Sequence, residues 1–120
     1  MSTHMPRFEI FSNGQYIGWS DLEYGDPPMG VAFGVFVPGP GYSSIQEQVR
    51  ASTQQDQRHF NFTVRMVGGE DIRASGAAIA DDSADCGTDA IELVVLGIEY
   101  PDYGEIFPEH VERYERQFDV

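Results

Sequence analysis

Between Ser20 and Pro38 the chain reads SDLEYGDPPMGVAFGVFVP, and that order of residues excludes most ways of continuing a helix or a sheet. Pro27 and Pro28 withhold two successive backbone donors and fix φ, so neither a helix interior nor a central strand runs through them. Asp21, Glu23 and Asp26 surround Tyr24-Gly25 just before the prolines, and Ser20 to Gly30 is expected to cross the surface as a loop. Met29 to Val37 then reads MGVAFGVFV, an apolar run of strand length that Pro38-Gly39-Pro40-Gly41 cuts off. Alternation places Phe33, Val35 and Val37 on one face and Ala32, Gly34 and Phe36 on the other. The segment therefore fixes how the elements before and after it meet.

Upstream, residues 7–19 (RFEIFSNGQYIGW) read as a β-hairpin, because Asn13-Gly14 readily takes the two positive φ values of a type I′ turn and aromatic and branched residues flank it. Downstream, Tyr42 to Ser52 reads as a helix: Ser43 with Gln46 is a capping-box pattern, and Tyr42, Ile45 and Val49 make one apolar stripe. Residues 58–67 (RHFNFTVRMV) alternate, with Phe60, Phe62, Val64 and Met66 expected inward and His59, Asn61, Thr63 and Arg65 outward. A turn at Gly68-Gly69-Glu70 leads to a small-residue strand over Asp71 to Ala80. A three-residue loop would pair Met66 with Ile72, Val64 with Ala74 and Phe62 with Gly76, which keeps one face apolar.

After the acidic connector Asp81 to Asp89 (DDSADCGTD), Ala90 to Tyr100 is apolar on both faces in its middle and is expected to be a central, doubly buried strand. Pro101-Asp102-Tyr103-Gly104 turns the chain into a last helix with Pro108 near its first position. Phe107, Val111, Tyr114 and Phe118 form that helix's stripe, and Glu109 with Arg113 and Glu112 with Arg116 are spaced as ion pairs. The order is βββαβββα: α+β, a mainly antiparallel sheet of about six strands, open or curled into a barrel, with two helices.

At 120 residues the chain is one domain, 1–120, with residues 1–5 set aside from fold and site arguments because a second methionine at Met5 is the pattern a vector-derived leader leaves. No apolar run reaches the roughly 20 residues of a membrane span and no secretory pattern opens the chain, so a cytoplasmic protein is expected. A single cysteine, Cys86, allows no internal disulfide and agrees with a reducing compartment. The charge is lopsided. Twenty acids face seven bases, all arginine, for a net charge of −13. Residues 1–69 hold six acids and four arginines, net −2, whereas residues 70–120 hold fourteen and three, net −11. Such a surface repels nucleic acid and anionic membranes, and either serves solubility or meets a basic partner.

Catalytic patterns are missing from this reading, and neither a cofactor nor a resident metal is expected. Asp81, Ser83, Asp85, the Gly87 carbonyl, Asp89 and Glu92 match the ligand spacing of a calcium-binding loop. The match fails at the sixth position, where glycine is required and Cys86 stands, and its flanks read as strands where helices are needed. Cys86 among Asp82, Asp85 and Asp89 lacks the positive surroundings that make a thiolate nucleophile. His59 and His110 are read as surface residues, and no pair of histidines has metal-ligand spacing. Tyrosines are interleaved with acids: Trp19 and Tyr24 flank the acidic turn, and Tyr100 and Tyr103 bracket Asp102 and Glu105. Acids with tyrosine suit an arginine- or lysine-rich surface, although such tyrosines equally serve as half-buried loop anchors.

The stretch Ile17 to Pro38, with Gly18-Trp19-Ser20-Asp21-Leu22-Glu23 and Asp26-Pro27-Pro28-Met29-Gly30-Val31-Ala32, resembles small bacterial proteins of uncertain role. In size, acidity and lack of a catalytic motif the chain is similar to immunity proteins that neutralise toxins of contact-dependent inhibition systems. The resemblance covers about a sixth of the chain at motif level, and such proteins are diverse in fold, so it transfers no functional residue. It implies a non-catalytic binding protein that occludes a basic toxin domain such as a nuclease. On the charge argument the partner-binding residues are Asp81, Asp82, Asp85, Asp89, Asp102, Glu105 and Tyr103. The alternative is a barrel-like protein that binds or transforms a small ligand over Ala74, Gly76 and Ala78, and a third reading is a homo-oligomer with no separate ligand.

Overall fold

The computed structural model of the chain describes residues 7–87 and 89–118. Asn13 and Gly14 take φ of 49° and 82°, as a type I′ turn requires, and the expected hairpin forms around them from β1 (Phe8–Ser12) and β2 (Gln15–Ser20). Phe8, Ile10 and Ser12 point into the core. The register shifts between Ile10 and Phe11, so that Ile17 and Gly18 are both buried on the facing strand.

Where a loop was expected, a short strand, β3 (Tyr24–Asp26), pairs antiparallel with β4 (Val31–Val35). The prolines do not prevent this because they lie between the strands, at the first positions of a single 3₁₀ turn (Pro27–Met29) where no backbone donor is needed. The apolar run that follows is not one strand either. It breaks at Phe36, whose N–H donates to the Ile91 carbonyl at 2.8 Å, and β5 (Val37–Pro38) pairs with β2 instead. One continuous run thus belongs to two sheets.

The helix expected over Tyr42 to Ser52 divides into a 3₁₀ turn (Tyr42–Ser44) and α1 (Gln46–Ala51). Ser43 caps nothing, its hydroxyl donating to the Pro40 carbonyl, while Tyr42 and Val49 are buried as the stripe required. Arg58–Phe60 is another 3₁₀ turn where strand was expected, followed by β6 (Phe62–Met66). The inward and outward residues of this stretch follow the alternation.

The glycine turn forms, with Gly69 donating to the Met66 carbonyl at 2.8 Å, but the expected hairpin does not follow it. After a bridge between Arg65 and Asp71 and a bond from Ile72 N–H to the Val64 carbonyl, the chain leaves β6. Then β7 (Gly76–Asp81) pairs along its whole length with β8 (Ile91–Leu96). Ala77, Ala78 and Ala80 have too little side chain to hold a register against β6, and β8 offers six residues of ladder.

The result is α+β, with two four-stranded antiparallel sheets in place of one of about six strands: sheet A in the order β5-β2-β1-β6 and sheet B in the order β3-β4-β8-β7. It is not a closed barrel. Among the described residues four α-helices replace the expected two, the others being α2 (Ser83–Cys86), α3 (Asp102–Ile106) and α4 (Pro108–Arg116). Pro108 opens α4 as expected. Both sheets contribute to a single core, Phe8, Ile10 and Val64 from sheet A and Ala32, Leu93 and Val95 from sheet B. Its two ends are closed by aromatics. Phe36 and Tyr42, 5.0 Å apart, fill the end beside α1, and Phe8, Tyr103 and Phe107 fill the end beside α3 and α4. Among the described residues no helix is long and apolar enough to cross a membrane.

At the free edge of β7 a side chain takes the place of a missing strand. Gln57 Nε2 donates to the Ile79 carbonyl at 2.9 Å, and the Ile79 N–H donates back to Gln57 Oε1 at 2.8 Å. Thr53 Oγ1 accepts from the Asp81 N–H in the same way. The edge is thereby closed to other chains.

Candidate functional site

The strand expected to be buried on both faces is buried on one. Ile91, Leu93 and Val95 of β8 enter the core, while Glu92 and Leu96 are exposed and Val94 is half-buried. The outer face of sheet B is partly open: Tyr24, Val35, Glu92 and Leu96 are exposed, and Phe33, Ala78, Ala80 and Val94 are half-buried. The pairings give its composition. Tyr24, Phe33, Val94 and Ala78 form one row across the four strands, and Val35, Glu92 and Ala80 form the next. Tyr24 is 52% exposed, Leu96 43% and Val35 39%. The rings of Tyr24 and Phe33 stack at 5.5 Å. This is a contiguous apolar and aromatic surface, which a monomeric chain seldom leaves open without use.

Acids frame it. At the end of β7, Asp82, exposed, precedes α2, which carries the exposed Asp85, and the chain continues through Asp89 to the start of β8. A groove of about 410 Å³ runs from Tyr24, Phe33 and Val35 to Asp82, Asp89 and Glu92. On the opposite, buried face of β4, Glu23 lies against Gly34, where a side chain at position 34 would collide with its Oε1. That oxygen is buried and has no hydrogen-bond partner, while Oε2 accepts from the Val35 N–H at 3.4 Å.

Of the residues expected to bind a partner, Asp82, Asp85 and Asp89 are exposed, and Asp82 and Asp89 line this groove. Asp81 does not. Its carboxylate is fully buried and accepts from the Tyr42 hydroxyl at 2.6 Å, from Gln46 at 3.3 Å and from Ser83 N–H at 2.9 Å. Burial alone would raise its pKa, but the bonds from Ser83, Tyr42 and Gln46 outweigh that and hold it below the usual carboxylate range. The same bonds disperse the calcium-loop pattern, since the first ligand faces inward. Among the described residues no three His, Cys, Asp or Glu side chains are grouped to hold a metal ion.

Tyr103 is also buried, its hydroxyl donating to the Val31 carbonyl at 2.8 Å, and it serves the core. Asp102 is engaged by Arg73 at 2.9 Å, and Glu105, exposed, follows it on α3. Both lie beyond the far end of β8, whose six residues separate them from α2 by roughly 20 Å. The seven expected residues therefore do not form one face. Trp19, expected beside Tyr24, is on sheet A beneath the Arg7 guanidinium at 3.7 Å.

His110, read from the sequence as a surface residue, is buried where α4 meets the stretch from Leu22 to Gly25. Arg113 Nη2 donates to its Nδ1 at 2.6 Å, and an arginine only donates, so the proton sits on Nε2 and is given to the Leu22 carbonyl at 2.8 Å. Burial lowers its pKa, against the bond to Leu22, and the Arg113 charge lowers it further. The signal for this burial was present in the spacing: His110 is three residues from Phe107 and four from Tyr114, on the same stripe. What the sequence did not show was β3, and with it the placing of Tyr24 beside Phe33. Comparison with protein-family models, with curated proteins and with solved structures finds no match to this chain.

Proposed function

We propose that the chain is a non-catalytic binding protein that recognises a basic protein partner through the outer face of sheet B. The observation that carries this reading is the row Tyr24-Phe33-Val94, exposed at Tyr24 and half-buried at Phe33 and Val94, with Asp82, Asp89 and Glu92 on the adjoining groove. An aromatic and aliphatic centre with a charged rim is how specific protein interfaces are built, and the rim's sign selects a basic partner. An immunity protein that occludes a toxin domain is the form that the resemblance implies. The groups best suited to catalysis support a binding role, because His110 and Asp81 are both committed to internal bonds. The core is filled by aromatic side chains at both ends, and the clefts open on the outside, which favours a docked partner over an interior ligand.

The test is direct. A partner is recovered from the native cell extract, and its association rate is followed by stopped flow at rising salt for the wild type and for a D82K/D85K/D89K/E92K variant. Reversal is expected to slow association at least tenfold at low salt and to flatten the salt dependence, since exposed charges steer encounter. Phe33→Ala is expected to raise the dissociation rate and leave association nearly unchanged. An association rate indifferent to the four reversals would refute the proposal.

A further inference from the structure

Almost every arginine in this acidic chain has found a carboxylate. Arg7, Arg50, Arg58, Arg65, Arg73 and Arg116 pair with Asp21, Asp81, Asp56, Asp71, Asp102 and Glu112 respectively. Among the described residues Arg113 pairs with none. It is fixed instead by uncharged acceptors, Nη2 donating to the Glu23 carbonyl at 2.8 Å and to His110 Nδ1 at 2.6 Å. Among the described residues no acceptor engages its Nε or Nη1. In a chain with twenty acids, a guanidinium held in place with two of its nitrogens unused is not what composition alone would produce.

Arg113 lines an open cleft of about 490 Å³ between β3 and α4. Its apolar walls are the stacked rings of Tyr24 and Phe33 and the ring of Tyr114. Asp26 lies on the same cleft, exposed, its carboxylate with no hydrogen bond or ion pair among the described residues. The cleft thus offers one fixed cation, one available carboxylate and an aromatic surface, within the size range of small-molecule sites, ~300–1,000 Å³.

We propose that this cleft binds a free aromatic amino acid as its zwitterion, with Arg113 taking the α-carboxylate, Asp26 the α-ammonium, and Tyr24, Phe33 and Tyr114 the side-chain ring. Each part answers a specific chemistry. A guanidinium with unused donors receives a carboxylate through parallel hydrogen bonds, and one already immobilised loses little freedom in doing so. A ring packs on stacked aromatics edge-on or offset. Both charges are needed, because a carboxylate alone must enter the field of a −13 chain beside Asp26, and an ammonium alone leaves Arg113 unused. The site is independent of the basic-partner reading, although it shares Tyr24 and Phe33 with that face.

The experiment is a ¹H–¹⁵N NMR titration of the full chain with phenylalanine, 3-phenylpropionate and phenethylamine, which carry both charges, the negative one and the positive one. Phenylalanine is expected to shift the Arg113 Nε–H and the Tyr24, Gly25 and Asp26 amides saturably, and each single-charge analogue to bind roughly tenfold more weakly. Asp26→Asn leaves the contacts of α4 intact and is expected to bring phenylalanine down to the level of phenylpropionate. Arg113→Gln is expected to bring it down to that of phenethylamine, with amide dispersion reporting whether the fold is kept. Phenethylamine binding as tightly as phenylalanine, an Asp26→Asn variant with unchanged affinity, or no shift at these resonances with any of the three would each overturn the proposal. None of these outcomes bears on the four reversals near α2, so the two proposals fail separately.

Discussion

Four donors converge on Asp81: the Tyr42 hydroxyl, Gln46 Nε2, and both the backbone N–H and the hydroxyl of Ser83. Arg50 adds its charge at 3.6 Å. The carboxylate is thereby a tie between the turn before α1, the end of β7 and the start of α2, and its charge is not available to a partner. Removing one donor leaves a buried charge short of a bond, so Tyr42→Phe is expected to cost about 1–3 kcal/mol in urea unfolding with the fold unchanged. The pH dependence has a definite sign. Because the folded-state pKa is lowered below 3.8, the tie contributes its full stability above that value and loses it as pH falls through the folded pKa. An acid unfolding curve for Asp81→Asn lacking that final step checks this. At the same scale, Gly25 faces the Tyr103 hydroxyl and the His110 ring so closely that any side chain there would strike both. Gly25→Ala is expected to cost about 1–3 kcal/mol through displacement of α4. The identities of these residues were plain in the sequence. Their burial was not, because a carboxylate in a run of DDSADCGTD has the local pattern of a solvated loop whatever lies across from it.

At the level of elements, α4 is held to sheet B by polar bonds as much as by its stripe. His110 reaches the Leu22 carbonyl and Arg113 the Glu23 carbonyl, just before β3 begins. The groups facing the imidazole are Arg113 and Glu109 of α4, Glu23 of the facing stretch, and the rings of Tyr103 and Phe107. Its folded pKa lies below the ordinary 6.5, so the neutral ring's contribution is complete above that value and is lost as pH falls through 6.5 towards the folded pKa. Thermal stability is accordingly expected to fall as the pH drops below 6.5, and His110→Gln to lower it at neutral pH while removing that slope. Elements whose geometry is set locally were legible: the Asn13-Gly14 hairpin, the alternation of β6 and the proline start of α4 all follow from neighbours in the chain. Elements set by distant partners were not. β7 could have paired with β6 or β8, and its choice rests on a ladder with residues fifteen or so positions away and on Gln57 at its other edge. Gln57→Ala, which strips both bonds from Ile79, is expected to cost about 2 kcal/mol and to speed hydrogen exchange at the Ile79 amide first.

For the molecule as a whole, the two outer faces differ in kind. Sheet A presents Trp19 and Phe11 beneath the Arg7 and Arg65 guanidinium groups, a surface whose aromatics are already occupied by the chain's own cations. Sheet B presents Tyr24 and Phe33 without such cover and with acids alongside. Charge totals pointed to the second half of the chain, where Asp82, Asp85 and Asp89 are exposed. They could not separate that cluster from Asp102 and Glu105, because the distance along β8 is invisible to composition. The aromatic half of the face comes from the other end of the sequence, through β4 and through β3, the strand that the double proline concealed.

The run from Val31 to Pro38, shared between the sheets, imposes an order on synthesis. Every strand of sheet A has been made once Met66 is reached, so β5 can lock onto β2 while β8 does not yet exist. That pairing holds β4 in position with one side of its ladder open until residues 91–96 emerge. At ribosomal speeds of ~5–20 residues per second, the open side waits for several seconds. A nascent chain that closed sheet A at that point would carry β4 paired with β3 alone, anchored through Val37 and Pro38 to β2.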